Sequence, residues 1–108
     1  MNLLGKFNPP YYAVIFTSLL REPVKDYQET NQNLMTLAEE IPGYLGEESV
    51  RDGLGLAVSY WKDLESIDAW RKNVDHILAK KRGGEEWYKA YSIRIAKVEW
   101  DNEYKNTP

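Results

Sequence analysis

Apolar residues recur along this chain at two spacings, and these spacings predict where strands and helices form. Tyr11 to Leu20 is rich in aromatic and β-branched residues, which favours a first strand. Pro23 suits the first turn of a helix, because the N–H that it lacks would have no partner there. Apolar residues at intervals of three and four continue this helix to Ile41, and Pro42-Gly43 ends it.

Two further strands follow as a predicted hairpin. They span Tyr44 to Arg51 and Leu54 to Trp61, and they are joined through Asp52-Gly53, a pair typical of tight turns between strands. Leucine, valine and tyrosine alternate along the second of these strands, which predicts one continuous apolar side.

A second helix and a last strand complete the pattern. The helix begins near Asp63 or Ser66, since either side chain can cap the exposed N–H groups of a first turn. Its apolar stripe is Ile67, Trp70, Val74 and Ile77, and Gly83-Gly84 ends it. The last strand spans about Trp87 to Trp100 and leads into a polar tail.

The predicted order is therefore β-α-β-β-α-β in one domain, residues 1–108, with a core from about 11 to 100. This order is the ferredoxin-like α+β arrangement. In that arrangement a four-stranded antiparallel sheet carries both helices on one face.

The first strand is apolar on both sides. One side carries Tyr12, Val14 and Phe16, and the other carries Tyr11, Ala13, Ile15 and Leu19. Two helices cover one face of the sheet, so the second apolar face needs a cover of its own. Burying that face favours association by about 25 cal/mol per Å² of apolar area. We therefore predict a homodimer that packs sheet against sheet.

Composition and charge exclude several classes of protein. Hydrophobic residues make up 43% of the 108 and charged residues 29%, which is typical of a globular domain. The formal charge of −3 provides no basic surface for nucleic acid or an anionic membrane. The absence of cysteine excludes disulfides, thiolate metal sites and cysteine nucleophiles. Tyr11 to Leu20 is too short to span a membrane and follows no secretion signal, so we expect a cytoplasmic protein.

Most familiar catalytic motifs are missing. Gly53-Leu54-Gly55 lies in the predicted hairpin with no helix after it, so it is not a phosphate loop. His76 is the single histidine and lacks a recognisable nucleophile partner. On a straight helix it points away from the apolar stripe, as a surface or structural residue; a break at Asn73 would turn it toward a pocket. Glu39-Glu40 and Glu47-Glu48 are typical of solvated charge pairs.

Aromatic residues provide a stronger signal, since four Trp, eight Tyr and two Phe make up 13% of the chain. Trp and Tyr combine bulk with a polar atom that needs a hydrogen-bond partner when buried. Such residues suit a cavity for a flat aromatic ligand, or they fill a small core and a dimer interface. Trp70 and Tyr60 fit either use, whereas Trp87 and Trp100, near strand ends, favour core or interface packing.

Several segments together resemble the antibiotic biosynthesis monooxygenase-like family of the dimeric α/β-barrel superfamily. They are Tyr60-Trp61 with Ala69-Trp70-Arg71, then His76, then Trp87-Tyr88, Tyr91 and Ile93-Arg94-Ile95-Ala96 of the last strand. The resemblance covers Tyr11 to Trp100. It implies a homodimer with one apolar pocket in each subunit, between the sheet and the helices.

The resemblance implies a cofactor-independent monooxygenase that oxidises a small aromatic or quinol-type molecule, with no metal. Protein groups would orient the substrate, take its proton and stabilise the developing oxyanion. The predicted substrate-binding residues are Trp70, Tyr60, Phe16 and Arg94, and the predicted catalytic residues are His76 and Ser66. Trp70 matches the helix tryptophan of the family, and Ser66 stands where the family carries an asparagine.

Two other functions fit the same fold. A non-enzymatic ligand-binding or stress-related dimer would keep the pocket without the chemistry. A haem-degrading relative would carry its ligand histidine at about Lys80, and a protonated lysine is a poor iron ligand. His76 could take that role only in a different helix register.

Overall fold

The computed structural model describes residues 4–21, 36–81 and 88–106, with the backbone alone for 75–81. Four strands form one antiparallel sheet: β1 is Tyr11–Leu20, β2 is Tyr44–Asp52, β3 is Leu54–Trp61 and β4 is Tyr88–Val98. The strand order is β2-β3-β1-β4. Residues 36–40 are helical and are called α1, and a longer helix, α2, is Leu64–Lys81.

This arrangement confirms the predicted ferredoxin-like order. The bounds of β1 and β3 agree with the sequence patterns, and β2 continues one residue further, to Asp52. The predicted first helix before residue 36, the glycines Gly83-Gly84 and Trp87 lie outside the described residues. Within the described ranges, no helix is long and apolar enough to cross a membrane.

The register assigns every strand residue to one of two faces. Val14 pairs with Ser59 of β3 and with Ile95 of β4, so these three side chains point to the same side. Ala38 of α1 and Ile67 of α2 bury Val14 on this side, which we call the helix face. The opposite side is called the open face.

The core lies at one end of the helix face. Trp61 is fully buried there, with its ring centroid 5.2 Å from that of Tyr44 and 5.5 Å from that of Trp70. The predicted stripe of α2 is therefore confirmed at Ile67 and Trp70, which both pack on this cluster. Trp100, by contrast, follows β4 and is 77% exposed, so it does not belong to the core of this chain.

Two β-bulges change which side chains share a face. A register shift at the start of β2 places Tyr44 and Glu47 together on the helix face, although they are three residues apart. A second shift, at the start of β4, does the same for Tyr88 and Tyr91. In a regular strand, residues three apart lie on opposite faces. Both bulges therefore add aromatic side chains to the helix face.

The segment before β1, residues 4–10, which we call the arm, packs on one end of the open face. The ring of Phe7 lies 5.4 Å from Tyr11 and 6.1 Å from Tyr60, measured between centroids. The Asp101 carboxylate accepts hydrogen bonds from the Phe7 backbone N–H at 3.1 Å and from the Tyr11 hydroxyl at 2.8 Å. The other end of the open face carries exposed apolar side chains: Leu19, Val50, Leu54 and Leu56.

Candidate aromatic site on the helix face

Aromatic and aliphatic side chains form a continuous surface on the helix face over β1 and β4. We call it the aromatic patch; it consists of Phe16, Tyr88, Tyr91, Ile93 and Ile95. The ring of Phe16 lies 5.4 Å from Tyr88 and 5.7 Å from Tyr91, and the two tyrosine rings are 5.6 Å apart. Tyr91 and Ile93 remain 56% and 55% exposed, although they lie on the same face as the core. The patch therefore offers stacking contacts to a flat ligand.

A guanidinium group borders this patch. Arg51 of β2 pairs with Gly55 of β3, and a Cβ on Gly55 would overlap the Arg51 guanidinium. The Arg51 Nη2 donates a hydrogen bond of 2.7 Å to the Ser18 hydroxyl. Ser18 pairs with Gly55 on one side and with Tyr91 on the other. Because Gly55 has no side chain, the arginine can reach across β3 to β1, next to the aromatic patch.

Trp70 lies nearer the core end of the helix face. Its ring is tilted by 39° against that of Trp61, whose indole N–H donates to the Ser59 hydroxyl at 2.9 Å. The indole N–H of Trp70, in contrast, is buried and has no acceptor among the residues that the structure describes. A buried donor without an acceptor costs about 1–3 kcal/mol. A ligand oxygen beside Trp70 would recover that free energy.

Ser66, a predicted catalytic residue, holds the start of α2. The Ser66 backbone N–H donates to Asp63 Oδ1 at 2.8 Å, so Asp63 is the capping residue of the two candidates. The Ser66 hydroxyl lies 2.7 Å from the same oxygen and 2.8 Å from the Pro42 carbonyl oxygen. Hydrogen bonds from the Ser66 hydroxyl and then from its backbone lower the pKa of Asp63. The serine hydroxyl is thus engaged in joining α2 to the turn before β2.

The predicted substrate-binding residues divide between the two faces. Phe16 and Trp70 lie on the helix face, whereas Tyr60 and Arg94 lie on the open face. Arg94 Nη1 donates to the Ser92 hydroxyl at 3.0 Å on that face. Because neighbouring strand residues alternate between faces, a single chain does not bring all four residues into one pocket.

Tyr60 instead belongs to a shallow cleft of about 270 Å³ between residues 4–7 and 101–104. Its hydroxyl donates to Glu48 Oε1 at 2.8 Å. Burial, and then this hydrogen bond, raise the pKa of Tyr60 to about 12. The phenol is therefore neutral near pH 7, and its proton is engaged with Glu48.

His76 lies in α2, within the stretch whose side chains are outside the described part of the chain. Its predicted catalytic role, and the haem-binding alternative that depends on it, stay predictions. Among the side chains that the structure describes, those of residues 4–21, 36–74 and 88–106, no group of three or more potential metal ligands is placed to hold a metal ion.

The surroundings of Glu47 differ from the prediction, because the sequence pattern is typical of a solvated carboxylate. It is partly buried on the helix face, opposite Ser59, and burial raises its pKa to about 7. Burial, and then the charge of Glu47, raise the pKa of Tyr44 to about 12. Gly46, a glycine inside a strand pattern, is the sequence signal that could have indicated the bulge between them.

The sheet order, the helix layer and the aromatic helix face define a known class of fold. The structure matches SnoaB, a cofactor-independent oxygenase from Streptomyces nogalater, with a TM-score of 0.67 and 8% identity over 85% of this chain and 96% of that chain. It matches a candidate antibiotic biosynthesis monooxygenase from Nitrosomonas europaea with a TM-score of 0.68 and 10% identity over 86% and 94%. The fold is that of the antibiotic biosynthesis monooxygenase-like proteins, which confirms the resemblance at the level of the fold.

No protein-family model matches the chain. Over 102 residues, however, it is 46% identical to YqjZ, an uncharacterized protein of Bacillus subtilis, and the match covers 92% of this chain and 90% of YqjZ. The chain belongs to the same family as YqjZ.

Proposed function

We propose that this protein binds a small aromatic molecule on the helix face and oxidises it with molecular oxygen, without a metal or a flavin. The half-exposed aromatic patch carries the proposal, because it is an apolar, ring-lined surface on the side of the sheet that also holds the core. The likeness in fold to SnoaB, a cofactor-independent oxygenase, supports the reaction class.

The proposed reaction converts a ring methylene to a carbonyl. For an anthrone, R₂CH₂ + O₂ gives R₂C=O + H₂O, so one oxygen atom enters the product and the other leaves as water. Loss of a proton first gives an electron-rich anion, which reduces the oxygen. Negative charge gathers on the substrate oxygen, and we propose that a substrate reaching from the aromatic patch toward Trp70 places this oxygen on the indole N–H, which has no acceptor among the described residues.

Oxygen uptake with dithranol, a hydroxylated anthrone, tests this function. The wild-type protein is expected to consume one O₂ per dithranol, faster than buffer alone, and to form the corresponding quinone. Trp70→Phe keeps an aromatic ring but removes the N–H, so kcat/KM is expected to fall by about tenfold to a hundredfold. Trp100→Phe, the same change at a side chain that is 77% exposed, is the matched control and should leave kcat/KM unchanged.

Binding without turnover would identify the alternative, a non-enzymatic ligand-binding protein. The engagement of the Ser66 hydroxyl in the cap of α2 favours that alternative, since it removes one predicted catalytic group. In that case dithranol affinity, measured by fluorescence, should still depend on Trp70. Equal kcat/KM in the wild type and in Trp70→Phe would contradict the proposed role of the indole N–H.

We also propose that the functional unit is a homodimer joined through the open face. The exposed leucines and valine at the uncovered end of that face support this assembly. Its formation would leave the aromatic patch on the outer side of each sheet, accessible to the ligand.

A further inference from the structure

We propose that the cleft beside the arm binds a small organic cation: a primary ammonium ion that carries an apolar group. This cleft, of about 270 Å³, lies between residues 4–7 and 101–104, and we call it the arm cleft. Tyr60, in its lining, belongs to the open face, so the sheet separates the arm cleft from the aromatic patch and from Trp70. The inference therefore goes beyond the proposed function and does not depend on it.

The walls of the arm cleft include three aromatic rings. The ring centroid of Tyr11 lies 5.4 Å from that of Phe7 and 6.0 Å from that of Tyr60, and the Phe7 and Tyr60 centroids are 6.1 Å apart. No two of these rings are parallel, since their planes meet at 85°, 73° and 45°. A ring face attracts a cation that lies within about 6 Å of its centroid, and it also buries apolar groups. The rings therefore suit both the charged head and the apolar body of an organic ammonium ion.

Two carboxylates at the same cleft are held in position by neutral donors. Glu48 Oε1 accepts a hydrogen bond from the Tyr60 hydroxyl at 2.8 Å. Asp101 Oδ2 accepts one from the Tyr11 hydroxyl at 2.8 Å and one from the Phe7 backbone N–H at 3.1 Å. Burial, and then the bond to Asp101, raise the pKa of Tyr11 to about 12, so this phenol keeps its proton near pH 7. These bonds therefore orient both carboxylates and leave their negative charge in place.

The second oxygen of each carboxylate is available to a ligand. Glu48 Oε2 and Asp101 Oδ1 accept no hydrogen bond and form no ion pair within the part of the chain that the structure describes. A primary ammonium group carries three N–H donors, and its hydrogen bonds to carboxylates are stronger than bonds between neutral groups. Such a group can therefore bond to a carboxylate oxygen while its apolar substituent contacts the rings.

The other charged groups nearby leave an excess of negative charge at the arm cleft. Glu103 Oε1 forms an ion pair with Lys105 Nζ at 3.4 Å, so these two charges offset each other. Lys6 is then the one cation of the described lining, set against the two carboxylates above. Arg94, also on the open face, lies three strand spacings from Glu48, or about 14 Å, and its guanidinium donates along its own strand. The local charge therefore favours a cation over an anion.

An NMR titration with three probes tests the arm cleft. 2-Phenylethylamine, 2-phenylethanol and 3-phenylpropionate share a ring and a short chain, but near pH 7 they are a cation, a neutral molecule and an anion. The amine is expected to bind about fivefold to tenfold more tightly than the alcohol, since partly exposed carboxylates and ring faces each add a modest attraction. The propionate should bind most weakly. Backbone amide shifts should change at residues 4–7 and 101–104.

Glu48→Gln removes one negative charge and keeps an oxygen for the Tyr60 hydroxyl. The preference for the amine over the alcohol should therefore fall to about half or less, with the affinity for the alcohol unchanged. Asp101→Asn makes the same change at the other carboxylate, and the double variant should show no preference. Glu65→Gln is the matched control, because Glu65 is exposed in the first turn of α2 and its loss should not alter the preference. Circular dichroism of each variant establishes whether the fold is retained.

Three results would overturn the inference. Equal affinities of the wild type for the amine and the alcohol, or no binding of either, would show that the arm cleft does not select a cation. Amide shift changes confined to the helix face would assign the binding to the aromatic patch instead. A preference for the amine that persists in the double variant would exclude both carboxylates. Turnover of dithranol enters none of these outcomes, so this proposal and the proposed function can fail separately.

Discussion

Gly43 and Ser66 meet at the junction between α1, β2 and α2. Gly43 has a φ of +101°, a conformation that favours glycine, and a Cβ there would overlap the Ser66 hydroxyl oxygen. That hydroxyl also contacts Asp63 and the Pro42 carbonyl oxygen. The junction therefore depends on a glycine at one position and on a small polar residue at the other.

Gly43→Ala is expected to destabilise the protein more than Gly53→Ala does. Gly53 also has a positive φ, +77°, but no atom lies within 4 Å of its added Cβ. The backbone penalty of alanine at positive φ is about 1–2 kcal/mol at either position. At Gly43 the Ser66 hydroxyl must also leave an acceptor, which adds about 1–3 kcal/mol to the loss in free energy of unfolding.

Urea denaturation of the two variants measures this difference. A lower midpoint with an unchanged slope for Gly43→Ala would indicate a change in stability alone. Equal losses for the two variants would show that Ser66 moves aside without penalty, and that its contacts do not fix the junction.

Local sequence could predict the capping function here but not which residue performs it. Asp63 and Ser66 are both competent caps; Asp63 caps α2, and the Ser66 hydroxyl also contacts the Pro42 carbonyl oxygen, 24 residues earlier in the chain. A contact between residues so far apart in the chain produces no recognisable pattern in the sequence around either residue. The same limit applies to Arg51, whose place beside the aromatic patch requires Gly55 on one neighbouring strand and Ser18 on the next.

At the scale of elements, β2 shows how a bulge changes the chemistry of a strand. The shift before Glu47 places Tyr44 in the aromatic core and leaves Glu47 beside it, partly buried. Glu48, the next residue, faces the other way and accepts a hydrogen bond from Tyr60. Two adjacent carboxylates therefore have different surroundings.

The free energy of unfolding is expected to fall as pH rises through the range in which Glu47 ionises. Burial raises the Glu47 pKa from 4.5 to about 7, so the folded state holds a proton that the unfolded chain has already lost. The contribution of Glu47 to the free energy of unfolding should therefore be highest below about pH 4.5. It should decline between pH 4.5 and about pH 7 and change little above that range. A fully buried carboxyl would lose about 3 kcal/mol; because Glu47 keeps contact with water, we expect about 1–2 kcal/mol.

Denaturation at several pH values, in the wild type and in Glu47→Gln, isolates this contribution. The difference between the two proteins should grow between pH 4.5 and 7 in favour of the glutamine variant. Glu48→Gln, which changes the neighbouring carboxylate on the open face, should retain the wild-type contribution of Glu47. A pH profile unaffected by Glu47→Gln would show that the side chain is solvated when folded.

Periodicity predicted the elements well and their irregularities poorly. The patterns predicted the first and last residues of β1 and β3 correctly. They also predicted both faces of β1, because alternating side chains of an inner strand point to opposite faces of the sheet. They did not predict the bulges, since a register shift reflects the partner strand as much as the bulged one. Tyr88 was therefore not assigned to the same face as Tyr91, and the aromatic patch was missed except for Phe16.

At the scale of the whole molecule, the two faces of the sheet carry different sets of side chains. The helix face holds the core, the aromatic patch and Arg51. The open face holds Tyr60, Arg94 and the apolar end that the arm leaves uncovered. If a second copy packs on the open face, Tyr60 and Arg94 lie near the interface, still separated by the sheet from Trp70. Pairing of two chains in this way would therefore leave the four predicted substrate-binding residues on two different faces of the sheet.

Leu56→Lys is expected to dissociate the proposed homodimer. Leu56 pairs with Val50 on the open face, and the two are 39% and 62% exposed in the single chain. Light scattering after size exclusion should give about twice 12.6 kDa for the wild type and a mass nearer 12.6 kDa for the variant. A lysine there would bring a charge without a partner into the interface of both copies, and this desolvation penalty exceeds the apolar contact that leucine provides.

Leu64→Lys is the matched control for this experiment. Leu64 is 51% exposed at the first residue of α2, on the other side of the molecule, so the same substitution there should leave the dimer intact. Dissociation by both variants would mean that added charge, rather than the open face, controls assembly. A wild-type protein that remains a monomer at all concentrations would contradict the interface itself, and the exposed end of the sheet would then need a different partner.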